Sequence, residues 1–306
     1  MIKIKRTLTL SALILLLALS FLHLSVLKNA VGEALALCAA SLIPSLFPFL
    51  IYTELCFASK DGQRVFSFLA RPFAFFFRTS REGAAAYLYG LIFGFPLGVK
   101  IIADSYKEGS ISKEEAERLL LFSNNTGPAF LIGAVGVGLL GSAKAGLFLY
   151  LTEWLVSFLV GVACGKGKEA VFFGSAAKYC SKSKISFPKI MQKCITQMLG
   201  ICGYVIFFSV LASLISPLFL STPVTGLFYA LLEIGTASAY LCASTSGWLR
   251  YALLSFAVCF SGLSVYMQGK DLIADTDLSD KYYIPAKLLQ GVLAFFAVFI
   301  LSRFFG

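Results

Sequence analysis

Gly94-Phe95-Pro96-Leu97-Gly98 and Asn124-Asn125-Thr126-Gly127-Pro128 decide how this chain is read. Both are helix-breaking clusters inside otherwise membrane-grade sequence, and a short charged turn, Lys107-Glu108-Gly109-Ser110, separates them. Lipid offers no partner to an unpaired amide or carbonyl, so a spanning segment unwinds only where protein, water or a solute satisfies the freed groups. Such breaks point to a polar site inside the membrane.

The surrounding composition supports that setting. Hydrophobic residues make up 58% and charged residues 14% of 306 residues, and the mean hydropathy is +0.83, which excludes one or two ordinary soluble domains. The chain reads as an all-α polytopic membrane protein. Its net charge of +10 is spread through short loops between apolar runs, so it signals topology and not nucleic-acid binding. The cysteines contain no C-x-x-C pair and indicate neither a zinc site nor a disulfide framework. No cofactor is expected.

Working outward, Lys3, Lys5 and Arg6 precede an apolar run from Leu8 to Leu27, read as an uncleaved first span. A second span follows over Val31 to Phe57, bent by Pro44 and Pro48. Gln63 to Arg78 alternates arginine with phenylalanine, as expected of a basic helix in the membrane interface. Gly83 to Phe93 is only about half the length of a span before the first break, and Val99 to Tyr106 is a second short helix. Ser112 and Glu115 form a capping box for the helix that runs to the second break. Phe130 to Leu140, Leu147 to Cys164, Gly200 to Ile215 and Ile284 to Ile300 are further apolar segments. A short helix from Leu227 meets a break at Glu233 to Ala237, and Trp248 to Phe260 meets another at Ser261 to Ser264.

The order of short helix, break, short helix, then a longer broken helix thus occurs twice. The expected organisation is N-terminal spans and interfacial helix over 1–82, a first repeat over 83–164, a basic cytoplasmic loop over 165–193 and a second repeat over 194–306. With the short pairs read as re-entrant hairpins and the N-terminus in the cytoplasm, most of the 26 basic residues fall on the inner side. The exceptions are Lys28, Lys144, Arg250 and Arg303 outside and Lys100 within a hairpin. The hairpins then open from opposite faces, an inverted repeat of the kind found in secondary transporters.

Half-helix N-termini direct free amides and positive potential into a break, which suits a carboxylate. Candidate substrate-binding residues are Phe95, Pro96, Gly98, Lys100, Asn124, Asn125, Thr126, Gly127, Glu233, Thr236, Ser261, Gly262 and Ser264. Lys100 and Glu233 are ionisable residues at membrane depth, where charge is costly and commonly functional; Glu233 is a candidate for binding substrate or a coupling proton or sodium ion. Glu33, Glu54 and Glu153 lie nearer span ends and carry less weight. The same residues also permit a simpler reading, in which Pro and Gly kink helices while Asn and Ser bridge them. Gly136-x-Gly138-x-x-Gly141 has the letters of a dinucleotide fingerprint but no preceding strand, so close helix packing is expected there. His23 is expected to pack within the first span. Walker, H-E-x-x-H and nucleophile-elbow motifs are absent from the sequence, and an enzyme is not expected.

The runs Gly94 to Asp104, Gly109 to Leu120, Ser123 to Pro128 and Ile132 to Gly136, together with Pro44 to Phe49 and Leu231 to Ile234, resemble the signature of the YlbJ family of sporulation integral membrane proteins. That family groups with the nucleoside-recognition or Gate domains of concentrative nucleoside transporters. The resemblance implies a nucleoside-transporter-like fold and a multi-pass protein of the outer forespore (mother-cell) membrane. It further implies a role in endospore formation, moving dipicolinic acid, a small flat aromatic dianion. Nucleoside transporters carry polar and acidic residues on the first hairpin tip, whereas here Phe95, Pro96 and Leu97 stand there, which argues against nucleosides. The other readings are a non-transporting scaffold or gate in spore-envelope assembly and a carrier of nucleosides or another small solute. Proton or sodium coupling and homo-oligomerisation are open at this level.

Overall fold

The computed structural model describes residues 2–167, 186–218 and 222–305. Among these every regular element is helical. Five stretches are long and apolar enough to cross a bilayer, namely Leu24–Leu42, Ala143–Gly165, Phe187–Ile215, Gly247–Ile273 and Tyr283–Leu301. The chain is an all-α polytopic membrane protein. Most of the expected basic loop over 165–193 lies outside the described residues.

The apolar run expected as a first span is divided. α1 (Ile2–Leu22) ends at His23, and α2 (Leu24–Leu37) continues through a π-helical turn, Cys38–Leu42, into α3 (Ile43–Ala58). His23 therefore stands exposed at a helix junction and is not packed inside a span. Pro44 falls directly after the π-helical turn, where the hydrogen-bond ladder of the continuous helix is already interrupted and can accommodate a proline. The interfacial stretch forms two short helices, α4 (Lys60–Leu69) and α5 (Arg71–Phe77). Phe68, Phe75 and Phe76 remain exposed, as a lipid-facing surface allows, while Phe77 is buried against Tyr87, Phe122 and Phe158.

α6 (Arg81–Phe93) and α7 (Leu97–Lys107) form a tight hairpin. Its turn needs Gly94, whose φ of 84° and ψ of 178° lie in a region essentially closed to other residues. Gly90 and Gly98 let the two arms approach the carbonyl of Ser123, which a side chain at either position would strike. α8 (Lys113–Leu120) starts as expected at Ser112, whose hydroxyl accepts from the Glu115 amide at 3.2 Å. The other half of the capping box does not form. The buried Glu115 carboxylate instead accepts from the hydroxyl of Thr79 and from the amide and hydroxyl of Ser80, each at 2.7 Å. It thus ties α8 to the start of the hairpin.

Past the second break the chain is π-helical over Ala129–Leu139, not α-helical as the apolar run suggests, and α9 (Ala143–Gly165) follows. Gly136 packs on Gly146 so closely that a Cβ at 136 would lie 2.7 Å from the Gly146 Cα, the close helix approach expected of this glycine run. α10 (Phe187–Ile215) precedes a second hairpin made by α11 (Thr222–Leu232) and α12 (Ile234–Ser244). Tyr229 and Tyr240 close it edge to face at 5.0 Å. α13 (Gly247–Phe260) and α14 (Gly262–Ile273) are the two parts of one broken helix, and α15 (Tyr283–Phe305) packs along α13. The breaks in this half are sharper than the sequence suggests, with Glu233 and Ser261 as the lone non-helical residues.

Candidate functional site at the helix breaks

Each hairpin turn rests on a helix break. Gly94 lies against Gly127, so that a Cβ at 94 would come within 2.7 Å of the Gly127 amide nitrogen. In the second half, a Cβ at Gly262 would lie 3.0 Å from the Leu232 carbonyl, next to the turn at Glu233. The two breaks also meet each other. The Thr126 hydroxyl donates to the Val258 carbonyl at 3.5 Å and the Ser261 hydroxyl donates to the same carbonyl at 2.9 Å. Residues that the sequence separates by more than a hundred positions therefore share one acceptor.

The unwound backbone from Leu121 to Thr126 is satisfied by side chains from two spanning helices. Gln290 on α15 donates to the Leu121 carbonyl at 2.7 Å, and the Lys287 ammonium donates to the Asn124 carbonyl at 3.0 Å. Glu153 on α9 accepts from the Thr126 amide at 2.7 Å. Tyr283 on α15 accepts from the Asn124 side-chain amide at 2.6 Å. These contacts answer the demand that lipid places on a broken helix. Asn124, Asn125 and Thr126 have no exposed surface, and Lys287 and Glu153 are each 1% exposed.

Not all of the polar atoms here are paired. Ser123 Oγ, Asn124 Oδ1, Asn125 Oδ1, Glu153 Oε2 and Gln268 Oε1 are buried without a hydrogen-bond partner. An orphaned buried polar atom costs about 1–3 kcal/mol. Among the described residues Lys287 donates only to neutral acceptors, Asn124 O and, at 3.5 Å, Gln290 Oε1, with Glu153 close enough to feel its charge. The helix starts at Leu97, Ala129 and Gly262 also lack a side-chain cap. The centre thus offers one ammonium, helix starts without side-chain caps and several acceptors.

Other expected site residues have different work. The two carboxylate oxygens of Glu233 accept from the amides of Gly235 at 2.9 Å and Thr236 at 2.6 Å, so this acid caps its own helix. The Thr236 hydroxyl pairs with Ser209 at 2.8 Å. Lys100 lies between Glu54 on α3 and Asp104 on α7, 2.8 Å from each, and Lys193 on α10 reaches the second Glu54 oxygen at 3.1 Å. Lys100 is neutralised there and is not presented to an anion. Ser264 accepts from Gln268 at 3.3 Å. Phe95, Pro96 and Gly98 are buried in the packed hairpin turn. Sequence reasoning undervalued Glu153 and missed Gln290 and Tyr283 as site residues; it counted Lys287 as an inner-loop charge. A lysine and a glutamine three residues apart at the start of an apolar helix is the signal that would have drawn attention to α15.

A cavity of about 610 Å³ adjoins this region. Its walls include Ser41 from the first π-helical turn, Phe49, Phe130 and Gly133 from the π-helix that follows the second break, and Gly235 beside the second hairpin turn.

Over 301 aligned positions the chain is 29% identical to sporulation integral membrane protein YlbJ of Bacillus subtilis (strain 168), covering 84% of this chain and 72% of that protein. The chain is similar to YlbJ along most of its length. The match extends well beyond the two glycine- and asparagine-rich clusters. No family model matches the chain, and no solved structure matches it.

Proposed function

We propose that this YlbJ-like protein is a secondary transporter that moves dipicolinic acid across the outer forespore membrane during endospore formation. The observation that carries the reading is the meeting of two broken helices around Lys287, with uncapped helix starts and unpaired acceptors in a fully buried centre. A ring dicarboxylate needs a cation and free amides for its carboxylates, and acceptors for any proton it carries. The adjoining cavity falls in the size range of small-molecule sites, and Phe49 and Phe130 give it aromatic walls. The sporulation role rests on the name of the Bacillus relative, and the substrate rests on the family resemblance together with the chemistry of the centre.

In this proposal the α6–α7 and α11–α12 hairpins are re-entrant and enter from opposite faces as an inverted repeat, with the N-terminus cytoplasmic. The pairing of each hairpin turn with its own break supports that arrangement. No catalytic role is assigned.

The experiment is uptake of labelled dipicolinate by purified protein in liposomes. Asn124→Ala and Asn125→Ala should each abolish uptake while the protein remains in the membrane. One specific observation favours a second reading, a scaffold with hinges: Gln290, Lys287 and Glu153 satisfy the unwound backbone without a solute. A scaffold predicts no uptake by the wild type.

A further inference from the structure

Glu153 sits at mid-length of α9 in a spanning helix, with one carboxylate oxygen on the Thr126 amide at 2.7 Å and the other buried without a partner. A carboxylate in such a place is expensive unless it is neutralised or fully bonded. The titratable groups that act on it are Lys287 from α15, Cys259 from α13, Tyr87 from α6 and Tyr150 from its own helix. The π-helix over 129–139 brings no titratable side chain, and Arg71 of α5 is exposed over Phe68. Among the described residues, Lys287 is therefore the one cation acting on Glu153 from the packed helices.

We infer that Glu153 is the proton-binding residue of the transport cycle and that proton and dicarboxylate move together in the same direction, an inference that rests on the transport reading above. Charged Glu153 competes with a substrate carboxylate for the field of Lys287. When a proton from water forms an O–H bond at Oε2, the charge is lost and Oε2 becomes a donor, while Oε1 keeps its bond to Thr126. Lys287 is then free to hold an anion. Release of the anion restores the pull of Lys287 on Glu153, and the proton returns to water on the other side. No other bond forms or breaks. The orphaned acceptors of Ser123, Asn124 and Asn125 lie on the same unwound segment that Glu153 bonds, so the protonated side chain has acceptors on the strand it already touches.

The test uses the full chain in liposomes at zero membrane potential. The wild type should accumulate dipicolinate inside when the outside is the more acid, and the flux should reverse with the gradient. Glu153→Gln, which keeps the bond to Thr126 and mimics the protonated form, should still exchange labelled for unlabelled dipicolinate but lose gradient-driven accumulation. Glu153→Asp should recover a pH-dependent accumulation. Accumulation by Glu153→Gln equal to wild type overturns the inference, as does wild-type uptake driven by sodium and indifferent to the pH gradient. Wild type that exchanges no dipicolinate defeats the transport reading instead. Infrared spectroscopy then decides the proton site separately: a titrating carboxyl stretch present in wild type and missing in Glu153→Gln supports it, and identical spectra overturn it.

Discussion

The ammonium of Lys287 donates to the backbone carbonyl of Asn124 at 3.0 Å, joining the last spanning helix to the unwound segment between α8 and the π-helix. The contact links residues 163 positions apart in the chain. It places a buried cation where two helix breaks meet, and both the stability of the break and the proposed anion site depend on it.

Lys287→Met should therefore cost both. A hydrogen bond from a charged donor contributes about 1.5–3 kcal/mol, and the variant leaves the Asn124 carbonyl unsatisfied. Thermal unfolding in detergent should fall measurably. Dipicolinate exchange in liposomes should be lost, whereas Lys287→Arg should keep the charge and part of the exchange.

Gly94→Ala tests the hairpin turn. With φ 84° and ψ 178°, an alanine there costs about 1–3 kcal/mol of backbone strain, and its methyl group also meets Gly127. Gly109 has φ 71° with open space around it, so Gly109→Ala should be the milder change. The comparison is the fraction of each variant recovered folded from membranes.

The Glu54 and Lys100 pair, 2.8 Å apart, fixes the first hairpin to α3. Removing one partner of a buried pair costs about 3–5 kcal/mol, because the other charge is left uncompensated. Lys100→Met should be strongly destabilising, although Asp104 and Lys193 also touch the cluster. Combining it with Glu54→Leu should recover part of the loss. A double-mutant cycle on unfolding midpoints gives the coupling.

On the surface, Asp277 accepts from the Tyr106 hydroxyl at 2.6 Å and from Lys113 at 2.9 Å, and these donors hold its carboxyl below the ordinary carboxylate range. A depressed acid stabilises the fold above its unfolded pKa, and that contribution disappears as pH falls through the folded value. The tie between the loop before α15 and the α7–α8 turn should thus be intact at neutral pH and loosen only in acid, below the ordinary value of 3.8. Asp277→Asn should remove this pH dependence from hydrogen exchange of the loop, with a small effect at neutral pH because the group is exposed.

Much of the layout was legible beforehand. Apolar run lengths located α9, α13 and α15, and Gly94, Pro96, Gly127 and Pro128 marked breaks that the structure places in contact. Helix-breaking chemistry is local, so it survives in one dimension. The boundaries were less legible. Ser261 alone breaks its helix because a single left-handed residue, φ 70°, suffices, and the sequence shows no reason for Ser264 to remain helical. His23 and the π-helical stretches were missed for the same cause: a junction or a widened turn leaves the apolar pattern unchanged.

The roles of individual charges were the least legible. Glu233 looks exposed to a site, but its backbone turns so that both oxygens cap α12. Lys100 looks like an anion receptor, but α3 supplies Glu54 beside it. Composition, run length and the two clusters by themselves determined a helical membrane protein with interrupted segments and a polar interior. Only the tertiary structure decided that Lys287, Gln290 and Glu153 satisfy the first break and that Thr126 and Ser261 converge on one carbonyl. The physical reason is that an unwound backbone in lipid must find partners, and any polar side chain brought near by helix packing can be that partner. Local sequence states the need, while the packing of distant helices chooses which residue meets it.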